Sequence, residues 1–315
     1  MRSSQQGLTT LALVVVVAVV IVVVSAMVLI LVIPLKPVDV HEYREVPSQS
    51  GAENIDLNLV GNIGAIEVTF DDLEDKFLTL DVWVNGAINI FDDPGDYNLS
   101  FEYVFSGDTL DVDVNLEPTD LFKGIKFLVI KAEVVISDEL NADLDVMTNT
   151  GSVNLTTNPH INITRMQLNT NTGSVEAYLD TGTTLWNDIE MSTNTGSVYL
   201  QWEDLVLTQD ITVTLVTSTG STDFRGRQTV ALGYDLEVSS TTQTGSVSAD
   251  IDISGDISAE IDWSLGTGDT EIHREIGFLK DGNHMESNNF PAEDNISISL
   301  HTSTGNVDIW AEWND

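Results

Sequence analysis

A glycine recurs in nearly the same four-residue setting seven times between residues 150 and 307. The copies are Thr150-Gly151-Ser152-Val153, Thr172-Gly173-Ser174-Val175, Thr195-Gly196-Ser197-Val198 and Thr219-Gly220-Ser221-Thr222, then Thr244-Gly245-Ser246-Val247, Thr267-Gly268-Asp269-Thr270 and Thr304-Gly305-Asn306-Val307. Their spacings are 22, 23, 24, 25, 23 and 37 residues. A period of this size marks a repeat architecture, in which one supersecondary unit buries its apolar face only against its neighbours.

The parity around each glycine names the unit. Counting the glycine as zero, position −1 is always Thr, and −3 is Thr in every copy but the one with Leu265. Positions −5 and −7 are mostly apolar, as in Val146 with Leu144 or Met191 with Ile189. Position +2 is Val or Thr, and +4 is Leu155, Ala177, Leu200, Phe224, Ala249, Ile272 or Ile309. Alternation with period two, rich in β-branched residues, predicts strand, tight turn, strand. The third position of an Asn-Thr-Gly-Ser turn requires positive φ in a type II turn, and glycine supplies it. A degenerate eighth copy surrounds Gly64, with Leu57, Leu59, Ile66 and Val68 at the matching offsets. Further alternating runs fill 78–136, and 280–294 reads as a polar loop that lengthens the last spacing.

The predicted fold class is all-β: a β-solenoid-like stack of coils, with an antiparallel meander or sandwich as the alternative. In a solenoid the Thr and Val positions form ladders from coil to coil. In a meander Thr148 would face Val153, and Val146 would face Leu155. Two-residue hairpins favour Asn-Gly, and a β-branched Thr resists positive φ, so the pattern favours the solenoid. The aromatic run Ile309-Trp310-Ala311-Glu312-Trp313 is placed to cap an open end.

Residues 11–33 carry no charge and only one polar side chain, Ser25. At about 1.5 Å per residue, such a helix crosses a hydrocarbon core of about 30 Å. The expected organisation is a tail at 1–10, a transmembrane helix at 11–33, a linker at 34–52 with three prolines, and a repetitive β domain at 53–315. Lys and Arg around the span are too few to fix its orientation. Acceptor sequons at Asn98, Asn154, Asn162 and Asn295 favour an exterior, glycosylation-permissive domain.

Fifty Asp and Glu against twelve Lys and Arg give a formal charge of −38. Such a chain repels nucleic acid, whose phosphates need cations. Arg165 is the only Lys or Arg between residues 132 and 224. No cysteine is present, which removes thiolate chemistry. His41, His160, His273, His284 and His301 show no metal-ligand spacing, and no Gly-x-Ser-x-Gly elbow occurs. The serine after the turn glycine recurs five times, which fits a turn hydrogen bond rather than a nucleophile. Two acidic turns are the candidates for Ca2+. Asp250-x-Asp252-x-Ser254-Gly255-Asp256 starts like a calcium loop but holds Ile261 at its twelfth position, and its alternation with Ile251 and Ile253 also reads as a strand with an acidic outer face; the other turn is 91–98. Asp108, Asp111 and Asp113 read as a solvated edge. The expectation is therefore no catalytic residue, no cofactor and no resident metal, with Gly64, Gly151, Gly173, Gly196, Gly220, Gly245, Gly268 and Gly305 as structural turn positions.

The repeated strand–Thr-Gly-Ser-Val–strand units, and the opening segment from Leu57 to Val68, resemble the DUF4097 family of adhesin-like domains over roughly residues 54–313. The resemblance implies a β-solenoid-like, membrane-attached, adhesin-like or envelope-structural protein. It brings no catalytic residues and no established ligand. Partners on this reading are the membrane through residues 11–33, and cell-surface proteins, glycans or further copies of the chain, contacted along Asn149, Asn171, Asn194 and Ser218 at the turns. The rival readings are a cytoplasm-facing scaffold or envelope-stress sensor and a polysaccharide-active β-helical enzyme.

Overall fold

The computed structural model describes residues 35–89, 97–118 and 127–314. The 11–33 segment and most of the 91–98 turn lie outside them. Among the described residues there is no helix long and apolar enough to cross a membrane.

Strands come in the pairs that the parity predicts. The central coils are β8 (Asn141–Thr150) with β9 (Val153–Thr156), and β10 (Asn162–Thr172) with β11 (Val175–Leu179). After the short β12 (Thr184–Leu185) come β13 (Ile189–Thr195) and β14 (Val198–Glu203). After β15 (Val206–Leu207) come β16 (Ile211–Thr219) with β17 (Thr222–Gln228), and then β18 (Leu236–Thr244) with β19 (Val247–Ser254). The first strand of each coil joins a 14-stranded sheet and the second an 11-stranded sheet. Both ladders are parallel and in register: Val153, Val175, Val198, Thr222 and Val247 form one continuous row. Leu144, Met166, Ile189, Val213 and Val238 form another. Thr148 therefore never faces Val153 across a hairpin, and the architecture is the solenoid. All ten of these side chains are buried, so the core is a slab between the two sheets.

The glycines form a column along one corner. Their φ values run from +137° to +147°, well beyond the roughly +80° of a type II turn. A Cβ on any of the eight would lie 1.7–2.0 Å from a carbonyl oxygen of the next coil. Glycine is thus required twice, for its backbone conformation and for the approach of stacked coils. Each column glycine from Gly64 to Gly245 also donates its N–H to the carbonyl of the −1 threonine of the next coil, as Gly173 does to Thr195 at 2.8 Å. The −3 threonines point inward. Thr170, Thr193, Thr217, Thr242 and Thr302 each donate Oγ1–H to a column-glycine carbonyl at 2.9–3.2 Å. That ladder, rather than the serine after the glycine, carries the corner's side-chain hydrogen bonding. Among the described residues the post-glycine serines contribute one hydroxyl contact, Ser197 to Ser221 at 3.4 Å.

Both ends depart from chain order. At the C-terminal end, β20 (Ile257–Thr267) and β21 (Thr270–Ile276) form the outermost coil. The final coil, β24 (Asp294–Thr304) with β25 (Val307–Asn314), inserts between them and β18–β19. At the other end β2 (Asn54–Ile63) and β3 (Ala65–Asp71) lie inside the later β6 (Thr109–Pro118) and β7 (Phe127–Ser137). Trp310 and Trp313 consequently sit one coil in from the end, not over it.

Antiparallel strands close much of each end. β1 (Leu35–Pro47) pairs with β4 (Lys76–Asn89), which pairs with β7, and β5 (Tyr97–Ser106) pairs with β6. Most of the expected 34–52 linker is thus strand β1. Its prolines fit because β1 is an edge strand, where a missing N–H costs little. Asp111 and Asp113 are correspondingly not on an edge, since β6 is paired on both sides. The expected 280–294 loop contains most of a hairpin, β22 (Phe278–Asp281) and β23 (His284–Ser287), laid antiparallel on β20. Phe278 and Met285 anchor it in the core, and two apolar anchors in so polar a stretch leave little periodic signal.

Candidate functional site

The repeat places positions −2 and −4 of successive coils side by side on the outer face of the larger sheet. Across β2, β8, β10, β13 and β16 the −2 column reads Asn62, Asn149, Asn171, Asn194 and Ser218. The −4 column reads Val60, Met147, Asn169, Ser192 and Val216. Together they line a groove of about 680 Å³ beside the glycine corner. The amides form a ladder, with Asn171 Nδ2 donating to Asn149 Oδ1 and Asn149 Nδ2 to Asn62 Oδ1, both at 3.2 Å. Ser192 Oγ donates to Asn169 Oδ1 at 2.5 Å. Each rung spends one amide N–H and leaves the second for a ligand, while Asn194 and Ser218 make no side-chain hydrogen bond within the described chain. Met147 and Val216 remain 44% and 36% exposed, which puts apolar surface next to these donors.

None of the groove's lining residues is charged. The rest of the same sheet face is different. Toward the C-terminal end a second groove of about 470 Å³ is lined by Asp210, Asp235, Glu237, Glu260 and Asp262. Toward the N-terminal end Asp111, Asp56 and Asp143 stand in one row across β6, β2 and β8. Burial, then the facing carboxylates, raise the Asp56 and Asp143 pKa values. Arg165 ends this row, its Nη1 3.9 Å from Asp143 Oδ1.

The histidines are scattered. His41 pairs with Asp81 and stacks on Trp83; His160 holds a left-handed turn; His301 contacts Ser264. His284 and His273 each meet carboxylates from a neighbouring strand, which no local spacing announces. The hydrogen bond that His284 donates to the Asp262 carboxylate raises the His284 pKa, against a smaller opposing effect of burial. Asp250 and Asp252 lie on strand β19 rather than on a calcium loop, and burial, then Glu312, raise the Asp252 pKa. Of the sequon residues, Asn98 lies in β5, and Asn154 and Asn162 are half-buried on strands. The Asn295 amide is engaged at both ends, by Ser258 and Ser297.

No family model matches the sequence, and no curated protein matches it either. Among solved structures the chain is similar to a candidate cell adhesion protein from Clostridium sporogenes. The identity is 13% and the TM-score 0.41, over 88% of this chain and 100% of that one. It is similar also to a candidate adhesin from Bacteroides fragilis, at 11% identity and a TM-score of 0.31 over 87% and 97% of the two chains. A third is a candidate lipid binding protein from Parabacteroides distasonis, at 15% identity and 0.29 over 85% and 96%. Likeness at this level carries no function from those proteins to this one.

Proposed function

We propose that this chain is a membrane-anchored, non-catalytic, adhesin-like protein that holds an uncharged, extended ligand in the amide-lined groove. The observation that carries the reading is the groove's neutrality within a chain of net charge −38. A row of amides and hydroxyls flanked by exposed Met and Val suits a neutral glycan chain or an extended protein segment. Such ligands present alternating polar and apolar edges, and recognition needs few but well-placed polar groups. The groove lacks the carboxylate pair that a glycoside hydrolase would need. The acidic groove has the carboxylates but would repel an acidic polysaccharide.

The test uses the full chain in detergent micelles, titrated against neutral and acidic oligosaccharides and extended peptides. Asn171→Asp puts a charge at the centre of the amide ladder. Neutral ligands are expected to bind the native chain and to lose about tenfold or more in affinity to Asn171→Asp. Equal binding by both proteins would remove the groove from the function. Orientation is tested separately, by protease digestion of sealed cells with a tag after the C-terminus and a lysate control. Loss of the tag from intact cells is expected. Protection until lysis would move the domain inside and favour the scaffold or sensor reading.

A further inference from the structure

The hairpin laid on β20 of the outermost coil brings a metal donor set together. β23 runs antiparallel to β20, so Asp262 lies directly opposite His284, and Glu260 opposite Glu286. Met285, between His284 and Glu286, is fully buried, so those two project from the opposite, outer face. His284 Nδ1 lies 2.9 Å from Asp262 Oδ1, and Nε2 lies 3.7 Å from Glu286 Oε2. One donor atom each from Glu260, Asp262 and His284 fall within 4.8 Å of one another. Ser297 Oγ, on β24, donates to Glu260 Oε1 at 2.7 Å and orients that carboxylate from outside the cluster.

We propose that Glu260, Asp262 and His284 form a binding site for a divalent transition-metal ion of the zinc class. Three considerations favour an ion over a merely solvated face. Facing Glu260 with Glu286 places like charges directly opposite, which is unfavourable in a sheet unless a cation lies between them. Among the described residues, no Lys or Arg forms an ion pair with Glu260, Asp262 or Glu286, and the one basic group that meets Asp262 and Glu286 is the His284 imidazole. The adjoining acidic groove, with Asp210, Asp235 and Glu237, draws cations toward the cluster. An imidazole with two carboxylates selects for zinc-class ions. Ca2+ demands six to eight oxygens, more than this rim supplies.

A second triad, Glu271, His273 and Asp308, provides an internal comparison. There His273 stacks on Trp310 at 4.1 Å, and a register shift between Ile272 and Arg274 interrupts the strand pair. No hydroxyl orients its carboxylates among the described residues. Glu271 and Asp308 stand directly opposite there as well, but the register shift leaves His273 without a cross-strand partner, whereas His284 lies directly opposite Asp262.

The experiment is calorimetric titration of the full chain in micelles, without a polyhistidine tag and after chelator treatment, at ~0.15 M salt. The probes are Zn2+, Ca2+ and Mg2+. Expected is about one high-affinity Zn2+ per chain, not displaced by equimolar Ca2+ or Mg2+. His284→Ala and the near-isosteric Asp262→Asn should each weaken Zn2+ binding about tenfold or more, while His273→Ala leaves it unchanged. The metal-free unfolding midpoint of each variant shows that its fold is intact. Native-like Zn2+ binding by a folded His284→Ala or Asp262→Asn chain would overturn the proposal. So would equal competition by Ca2+, or loss of the site in His273→Ala alone.

Discussion

At the scale of single residues, the corner glycines separate two costs that are usually mixed. Gly255 and Gly173 both have positive φ, but a Cβ on Gly255 meets nothing within 4 Å, while one on Gly173 meets the Gly151 carbonyl oxygen at 1.8 Å. Gly255→Ala should cost about 1 kcal/mol, the price of a left-handed L-residue alone. Gly173→Ala adds a backbone clash that only separation of the coils relieves, so about 3 kcal/mol or more is expected. Urea unfolding of the two variants decides this; equal losses would show that close stacking plays no part. The glycines and the −3 threonines were legible in the sequence because each repeats at one offset in register. The threonine's role was not, because a strand pattern shows which side chains turn inward but not what their hydroxyls reach. Met147 and Val216 were equally hidden, since single apolar residues at outward positions carry no periodic signal.

At the scale of elements, alternation specified the strands and the repeat specified coils, yet neither specified coil order. Most coils present nearly the same Thr and Val rows, so the ladders match with little regard to which coil lies next. The swap at the C-terminal end puts the final coil between two others, with strands paired on both sides. His284 and Asp262 were illegible for a related reason: they lie 22 residues apart and meet only because the 278–287 segment folds back as a hairpin. The swap has a mechanical consequence. In a stack that followed chain order, removing the last coil would leave the rest intact. Here, ending the chain at Glu293 removes the bridge between β18–β19 and β20–β21, and should release residues 257–293 as well. Limited proteolysis of the truncated chain is expected to cut within 257–293, with the stack up to Ser254 protected. Protection of 257–293 would mean that β20–β21 can dock directly on β18–β19.

At the scale of the whole molecule, charge sets the terms. Asp56, Asp143 and Asp252 have raised pKa values, each through burial first and facing carboxylates second, and His284 is raised by Asp262. All four bind protons more tightly in the folded chain than in the unfolded one. Where the native state holds more protons, stability falls as pH rises. For the three aspartates the window opens at the ordinary value of 3.8 and extends upward; for His284 it opens at 6.5. Glu45 works in the opposite sense, its pKa lowered by Lys76, but it lies exposed on the surface and adds little. Acidification through these windows, first toward 6.5 for His284 and then toward 3.8 for the aspartates, should therefore raise the unfolding midpoint. Asp56→Asn tests the cause, because it removes the middle charge of the Asp111–Asp56–Asp143 row without changing shape. It should stabilise the chain by about 0.5 kcal/mol at low ionic strength. The part of the gain that comes from the facing carboxylates should vanish near 1 M salt, where the screening length is about 3 Å, leaving the part that comes from burial. A gain wholly unchanged in 1 M salt would trace to lost desolvation of Asp56 alone, with no share from repulsion. The acid-side rise in stability would then belong to burial, and the density of carboxylates on this face would carry no electrostatic cost for a cation to relieve.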